Sequence, residues 1–311
     1  MATSYFSATH FHDEQAAIDF VEKRVWASGR PCPHCGVIGE SGKLQGKSTR
    51  LGLWKCYACR KPFTVKIGTI FEDSHFPMHM WLQAIFLMAA SKKGISTNQL
   101  QRTLGCSMKT AWHLSHRIRL AMAGNDPSLM GGGGKPVEAD ETYYGRKPGR
   151  DKRRGHGHKE TVFSLVERGG QVRSTHITGK TFAGIKRALR KNVSSEARLM
   201  TDDARLYRKI AQRFAEHQAV NHSAGEYVRG DAYTNTVEGY FSVFKRGMTG
   251  VYQHCDWKHL HRYLAEFDFR YNNRAALEVN DIQRADNVLA NVTGKRLTYE
   301  TTSEEATAAL T

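Results

Sequence analysis

Two short stretches, "CPHC" (Cys32 to Cys35) and "CYAC" (Cys56 to Cys59), restrict the fold of this chain more than any other feature. Each C-x2-C turn aims two thiols at one point, and the 20 residues between the pairs let both turns meet there. Four thiolates so placed close a tetrahedron around one Zn²⁺. "LWK" before Cys56 and "PFTV" after Cys59 read as strands, so residues 28–75 are expected to form a zinc ribbon with Cys32, Cys35, Cys56 and Cys59 as ligands of one structural ion. A thioredoxin-type redox pair would need a surrounding β-α-β pattern, which is missing. His34, inside the first turn, reads as a turn residue, and Cys106 and Cys255 stand alone. A helical segment over 1–27 precedes the ribbon.

The formal net charge of +16 over 311 residues, with a pI of about 9.7, calls for a polyanionic partner, and nucleic acid is the first candidate. An apolar content of 40% excludes wholesale disorder. The most apolar run, "WLQAIFLMAA" from Trp81 to Ala90, is about half the length a bilayer requires, so no membrane partner is expected. The N-terminus lacks the basic-then-apolar order of a signal peptide, which points to a cytoplasmic, nucleoid-associated protein with reduced thiols.

Residues 76–124 read as a helix-turn-helix unit. After the apolar helix that follows Pro77, "STNQLQRTLGCSMKTAWHLSHRIRLAM" divides into two helices around Gly105. Ser96 or Thr97 caps the first and Ser107 the second, with Leu100, Leu104, Ala111 and Leu114 facing inward. Lys109, His113, His116, Arg117 and Arg119 lie along the second helix, and Lys109 and Arg117 are taken as DNA contacts. Four glycines in "NDPSLMGGGGKP" cannot hold a helix, so 125–136 is read as a linker.

The next domain, 137–275, opens on "VEADETYYG", a strand whose alternation puts Glu138 and Asp140 on one face. A glycine-studded loop follows, "GRKPGRDKRRGHGHK", with seven Lys/Arg including Arg153 and Arg154, suited to a phosphate backbone. A hairpin turns at Gly169-Gly170, then come helix, strand ("ARLMTDD"), helix, strand and the helix "NTVEGYFSVFKRGM". This order predicts an α/β fold, a mixed sheet with flanking helices of the ribonuclease H-like type. Carboxylates fall on the first strand (Asp140), at the end of the fourth (Asp202) and, after 35 intervening residues, on the late helix (Glu238). Glu238 and Lys245 share one helical face, with Arg246 beside them. Duller readings compete for the same residues. Asp202 or Asp203 would cap a helix, Asn235 with Glu238 is close to a capping box, and Glu138 and Asp203 rival Asp140 and Asp202. The helix "WKHLHRYLAEFDFRYNNR" carries an aromatic core stripe, with His259, Arg262, Arg270 and Arg274 on its other side; 276–311 is a last helix and a fraying tail from about Leu297.

"VEADETYYG", "MTDDARLY", "NTVEGYFSVFKRGMTGVYQHC" and "KHLHRYLAEFDFRYNNR", with the cysteine pairs, resemble DDE transposases of bacterial insertion sequences, in the ISXO2-like subgroup with an N-terminal zinc ribbon. The likeness runs from about residue 20 to 290. It implies metal-dependent cleavage and transfer of DNA strands, with Asp140, Asp202 and Glu238 as the catalytic triad holding two Mg²⁺ (or Mn²⁺) ions, and it favours Asp140 and Asp202 over their rivals. The partners implied are double-stranded DNA, both the element's terminal inverted repeats and the target, gripped in part by Lys245, Arg246, Arg153, Arg154, Lys109 and Arg117, with a homo-oligomer forming in the DNA complex. The competing class is a zinc-ribbon/helix-turn-helix regulator, derived from a transposase, without catalysis.

Overall fold

A computed structural model describes residues 4–124, 126–151, 155–178, 181–202, 205–220, 226 and 228–298. Arg153, Arg154 and Asp203 therefore lie outside the described residues. The chain divides into two compact units: one runs to Met122 and resumes at Glu278, the other spans the residues between.

The first unit begins with α1 (Glu14–Val25), whose N-terminus is capped by Asp13 accepting from the Ala16 amide at 2.7 Å. The ribbon follows as β1 (Ser41–Lys43), β2 (Trp54–Cys56) and β3 (Pro62–Phe63), an antiparallel sheet in that order. β2 and β3 match the expected strands, whereas "SGK" of β1 is too short and polar to announce itself. Helix α2 (Met78–Ala90) starts after Pro77, which has no side-chain cap to offer. Glu14 supplies one, accepting from the amides of Met78 (2.8 Å) and His79 (3.1 Å).

Helices α3 (Thr97–Leu104) and α4 (Met108–Met122) flank Gly105, which adopts the left-handed backbone (φ 63°) that favours glycine. Ser96 caps α3 through the Gln99 amide, and Ser107 caps α4 through that of Thr110. Leu100, Leu104, Ala111 and Leu114 are buried as the pattern requires. Beyond its first turn α4 is largely buried, His116, Arg117 and Arg119 included, so these three do not form an open basic face. Helix α9 (Asp281–Ala290) packs on α1, α2 and α4, and residues 292–294 pair with 68–70. Leu297, expected at the start of a fraying tail, is fully buried. No helix among the described residues is long and apolar enough to cross a membrane.

The second unit is built on a five-stranded sheet of β4 (Pro136–Tyr144), β5 (Glu160–Glu167), β6 (Val172–Ile177), β7 (Arg198–Asp202) and β8 (Glu216–Val220). The order is β6-β5-β4-β7-β8; β4, β5 and β6 pair antiparallel, while β7 and β8 join parallel to β4 and to each other. β5 reads "TVFSLV" because both its faces are covered. Phe163 and Leu165 face α5 (Thr181–Asn192) and α6 (Arg205–Ala211). Val162 and Val166 face α7 (Asn235–Gly247) and α8 (Leu260–Asn272). The mixed sheet with helices on both faces is thus as the residue pattern predicts.

Two expectations change here. The glycine run is not a linker, because Met130 is buried in the core and its amide and carbonyl bond Asn192 and Ser194. Gly131 (φ 80°) sits so close to Ala197 that a β-carbon would come within 2.3 Å. On α8, Arg262 and Arg270 are buried, with Arg270 ion-paired to Glu266, and so do not face solvent.

Candidate functional site

In the ribbon, the Sγ atoms of Cys32 and Cys59 are 3.6 Å apart, those of Cys35 and Cys56 3.7 Å, and all four lie within 4.8 Å of one another. Zn–S bonds of about 2.3 Å in a tetrahedron set sulfurs about 3.8 Å apart, whereas a disulfide needs about 2 Å. The donors therefore fit one zinc ion. Each turn is closed by a left-handed residue after its second cysteine, Gly36 (φ 78°) and Arg60 (φ 61°). His34 points its ring at the Pro62 carbonyl (3.2 Å) and is no ligand. Only Phe63 and two of the cysteines themselves are fully buried in the ribbon's apolar cluster, too little to hold a fold without metal. Cys56→Ser is expected to lose the zinc and open β2–β3, checked by metal content per chain and amide exchange; unchanged zinc content would refute the ligand assignment.

In the second unit, the sheet's alternation places Asp140 on the face covered by α7. Its register partner, Ser164, shares that face with Val162 and Val166. Asp202 ends β7 two residues after Met200, which clusters with Val220 and Ala232. Glu238 occupies the first turn of α7 and is exposed, with the Thr234 hydroxyl donating to its Oε1 at 3.1 Å. Burial pushes the Asp140 carboxyl up to about 7; the Glu141 amide at 2.7 Å opposes this, and the charges of Glu141, Asp202 and Glu238 add to it. Glu141 points to the opposite face, where Tyr207 donates to Oε2 at 2.7 Å, and burial pushes it too up to about 7. Nothing in the residue pattern singled out Tyr207 as its partner.

Among the described residues, only the four cysteines already converge as a cage for an ion. The charges of Asp202 and Glu238 both act on Asp140, across the sheet and from α7. For Glu138 and Asn235 the structure shows the partners. Glu138 is fully buried and accepts from the amides of Thr236 and Val237, so it, rather than Asn235 with Glu238, caps α7. The helix N-cap position is Thr234 and it makes no side-chain cap.

Of the cations expected on DNA, Lys245 and Arg246 are exposed on α7, two turns beyond Glu238, and Lys109 is exposed on the first turn of α4. Arg117 is a correction. It is 7% exposed and donates to the carbonyls of Ile70 (3.0 Å), Glu72 (2.7 Å) and Leu297 (3.2 Å), bracing the first unit.

A four-cysteine ribbon preceding a carboxylate-bearing mixed sheet defines a class, and both halves match transposase families. Residues 12–62 match the transposase zinc-ribbon domain, and residues 130–272 match the ISXO2-like transposase domain, a span that includes Asp140, Asp202 and Glu238. A protein in transposable element ISH50 of Halobacterium salinarum is 28% identical over 256 residues, covering 77% of this chain and 84% of that protein. The chain thus carries an ISXO2-like transposase domain preceded by a transposase zinc-ribbon domain.

Proposed function

We propose that this chain cleaves DNA strands at the ends of an insertion sequence and joins them to target DNA, as a DDE transposase with a ribonuclease H-like catalytic domain. One observation carries the reading. Three carboxylates from β4, the end of β7 and α7 are close enough for the charges of Asp202 and Glu238 to act on the buried Asp140. Such a self-repelling set attracts divalent cations, which take hard oxygen ligands. The strand order β6-β5-β4-β7-β8, three antiparallel and two parallel, supports the fold assignment.

Asp140, on the central strand, would hold two Mg²⁺ (or Mn²⁺) ions together with Asp202 and Glu238. When bound, the ions activate the attacking oxygen and neutralise charge on the phosphate and leaving oxygen. The chain itself supplies position. Lys245 and Arg246 extend the exposed stripe of α7 beyond Glu238 and hold the strand by its phosphates. The basic segment around Arg153 and Arg154 adds sequence-independent grip. Helices α3 and α4 act as a helix-turn-helix, with Lys109 at the leading end of the second helix, the part that meets base edges in such motifs. The ribbon and this pair recognise the element ends, and the active form is an oligomer on DNA.

The test is cleavage of an end-labelled duplex carrying the element terminus, with Mg²⁺, by wild type and Glu238→Gln. Binding retained without cleavage in the variant supports the assignment; equal cleavage by both sinks it.

A further inference from the structure

We propose that Glu138 is a positioning residue, fixing the distance between Asp140 and Glu238 by clamping the start of α7 onto the strand that carries Asp140. The inference rests on the reading of those two carboxylates as metal holders. Glu138 is completely buried, and its two oxygens take four hydrogen bonds. The Thr236 amide (2.8 Å) and the Val237 amide (2.9 Å) donate to Oε2; the Thr236 hydroxyl (2.8 Å) and Arg168 Nε (2.7 Å) donate to Oε1. Those amides belong to the first turn of α7, which lacks a cap of its own from Thr234.

Arg168 extends the clamp upstream. It donates to the carbonyl and carboxylate of Asp231 (both 2.9 Å) and to the Tyr233 carbonyl (2.9 Å), and its guanidinium lies 3.4 Å from the centre of the Tyr233 ring. Positions 231, 233, 236 and 237 are thereby pinned immediately before Glu238. The anchor and Asp140 are two residues apart on one strand face, about 7 Å along the strand. A buried carboxylate is a costly way to hold a helix, and an apolar contact would pack as well. What the carboxylate adds is register: only one placement of the first turn satisfies both oxygens. One turn further on, Tyr240 donates to Asp268 on α8 at 2.6 Å, so α7 is fixed at a second point that does not involve β4.

The test uses the full chain and an end-labelled duplex, titrating Mg²⁺ against cleavage rate for wild type, Asp140→Asn, Glu138→Gln and Thr236→Val, with the melting temperature of each. Glu138→Gln turns an amide NH₂ toward donors, and Thr236→Val removes one donor while leaving both amides. For Glu138→Gln the half-saturating Mg²⁺ should rise about 10-fold or more, with cleavage recovering at high metal. Thr236→Val should shift in the same direction by less. If Glu138→Gln does not fold, the Thr236→Val shift decides alone. A half-saturation unchanged in the folded variants, with rate lost only in proportion to folded protein, overturns the proposal and leaves Glu138 a packing residue. Mg²⁺-dependent cleavage by Asp140→Asn would overturn the underlying reading instead, and the clamp with it.

Discussion

Asp140→Asn is expected to abolish Mg²⁺-dependent strand cleavage and, in the same protein, to raise the melting temperature measured without divalent metal at pH 8. Burial, joined by the charges of Glu141, Asp202 and Glu238, holds the folded Asp140 carboxyl at about 7, while an unfolded aspartate titrates near 4. Between those values the folded chain binds a proton that the unfolded chain has released. The contribution of Asp140 to stability is therefore greatest below about pH 4, falls as pH climbs to about 7, and stays reduced above it. Asparagine has the same shape, still accepts from the Glu141 amide, and carries no charge to repel. The gain at pH 8 is on the order of a few kcal/mol, part of it shared with Glu141, and it should vanish at pH 4. Losing a metal holder should cost more than the roughly 10- to 100-fold lost with residues that only orient one. Melting scans at both pH values, with and without Mg²⁺, and the labelled-duplex assay check this. A variant that melts lower than wild type at pH 8, or that still cleaves, would contradict it.

Strand and helix identities are legible locally: "TVFSLV" and "GIKRALRKN" state their period within one element. The same alternation marks Glu138 and Asp140 alike, and it is the resemblance to DDE transposases, not the pattern, that favours Asp140 and Asp202 over their rivals. Choices between near neighbours were less legible. Glu138 and Asp140 share a strand face, and only the arrival of α7, about a hundred residues later in the chain, makes one a helix cap and leaves the other open. The competing capping-box reading at Asn235 fails because the donors it would have served are met from the sheet.

The arginines misled in another way. A helical wheel assigns Arg117 and Arg119 to a solvent face when α4 is considered alone, and the same holds for Arg262 and Arg270 on α8. Burial of this kind is not a property of the helix but of what closes over it. For α4 that includes α9 and residues 292–298, joined to it in space across more than 150 residues of sequence. Long aliphatic stems and planar guanidinium groups tolerate such burial when carbonyls meet them, as they do at Arg117. Composition counted these cations toward a DNA face, although their positions make them internal braces.

Deleting the chain beyond Leu277 is expected to unfold the first unit, although every cysteine and both helices of the α3–α4 pair would remain. Val288, Val292 and Leu297 are fully buried there and Leu289 is 2% exposed. Burying side chains of this size is worth about 1.5–3 kcal/mol each, so the four together approach the entire stability of a typical domain, about 5–15 kcal/mol. Polar ties go with them: Arg24 to Asp286 at 2.6 Å, Ile70 to the Val292 carbonyl at 3.1 Å, and Arg117 to the Leu297 carbonyl. Removing that carbonyl leaves a buried guanidinium with fewer acceptors, which costs more than the bond itself contributed. Amide exchange should show α2 and α4 losing protection in the truncated chain while the β4–β8 sheet keeps its own. Co-expressing 278–298 as a separate segment should restore part of it. Native protection of α2 and α4 in the truncated chain would refute the argument. If it holds, the ribbon and the α3–α4 pair depend on a segment made only after the second unit, so a chain interrupted within that unit acquires no stable first unit either.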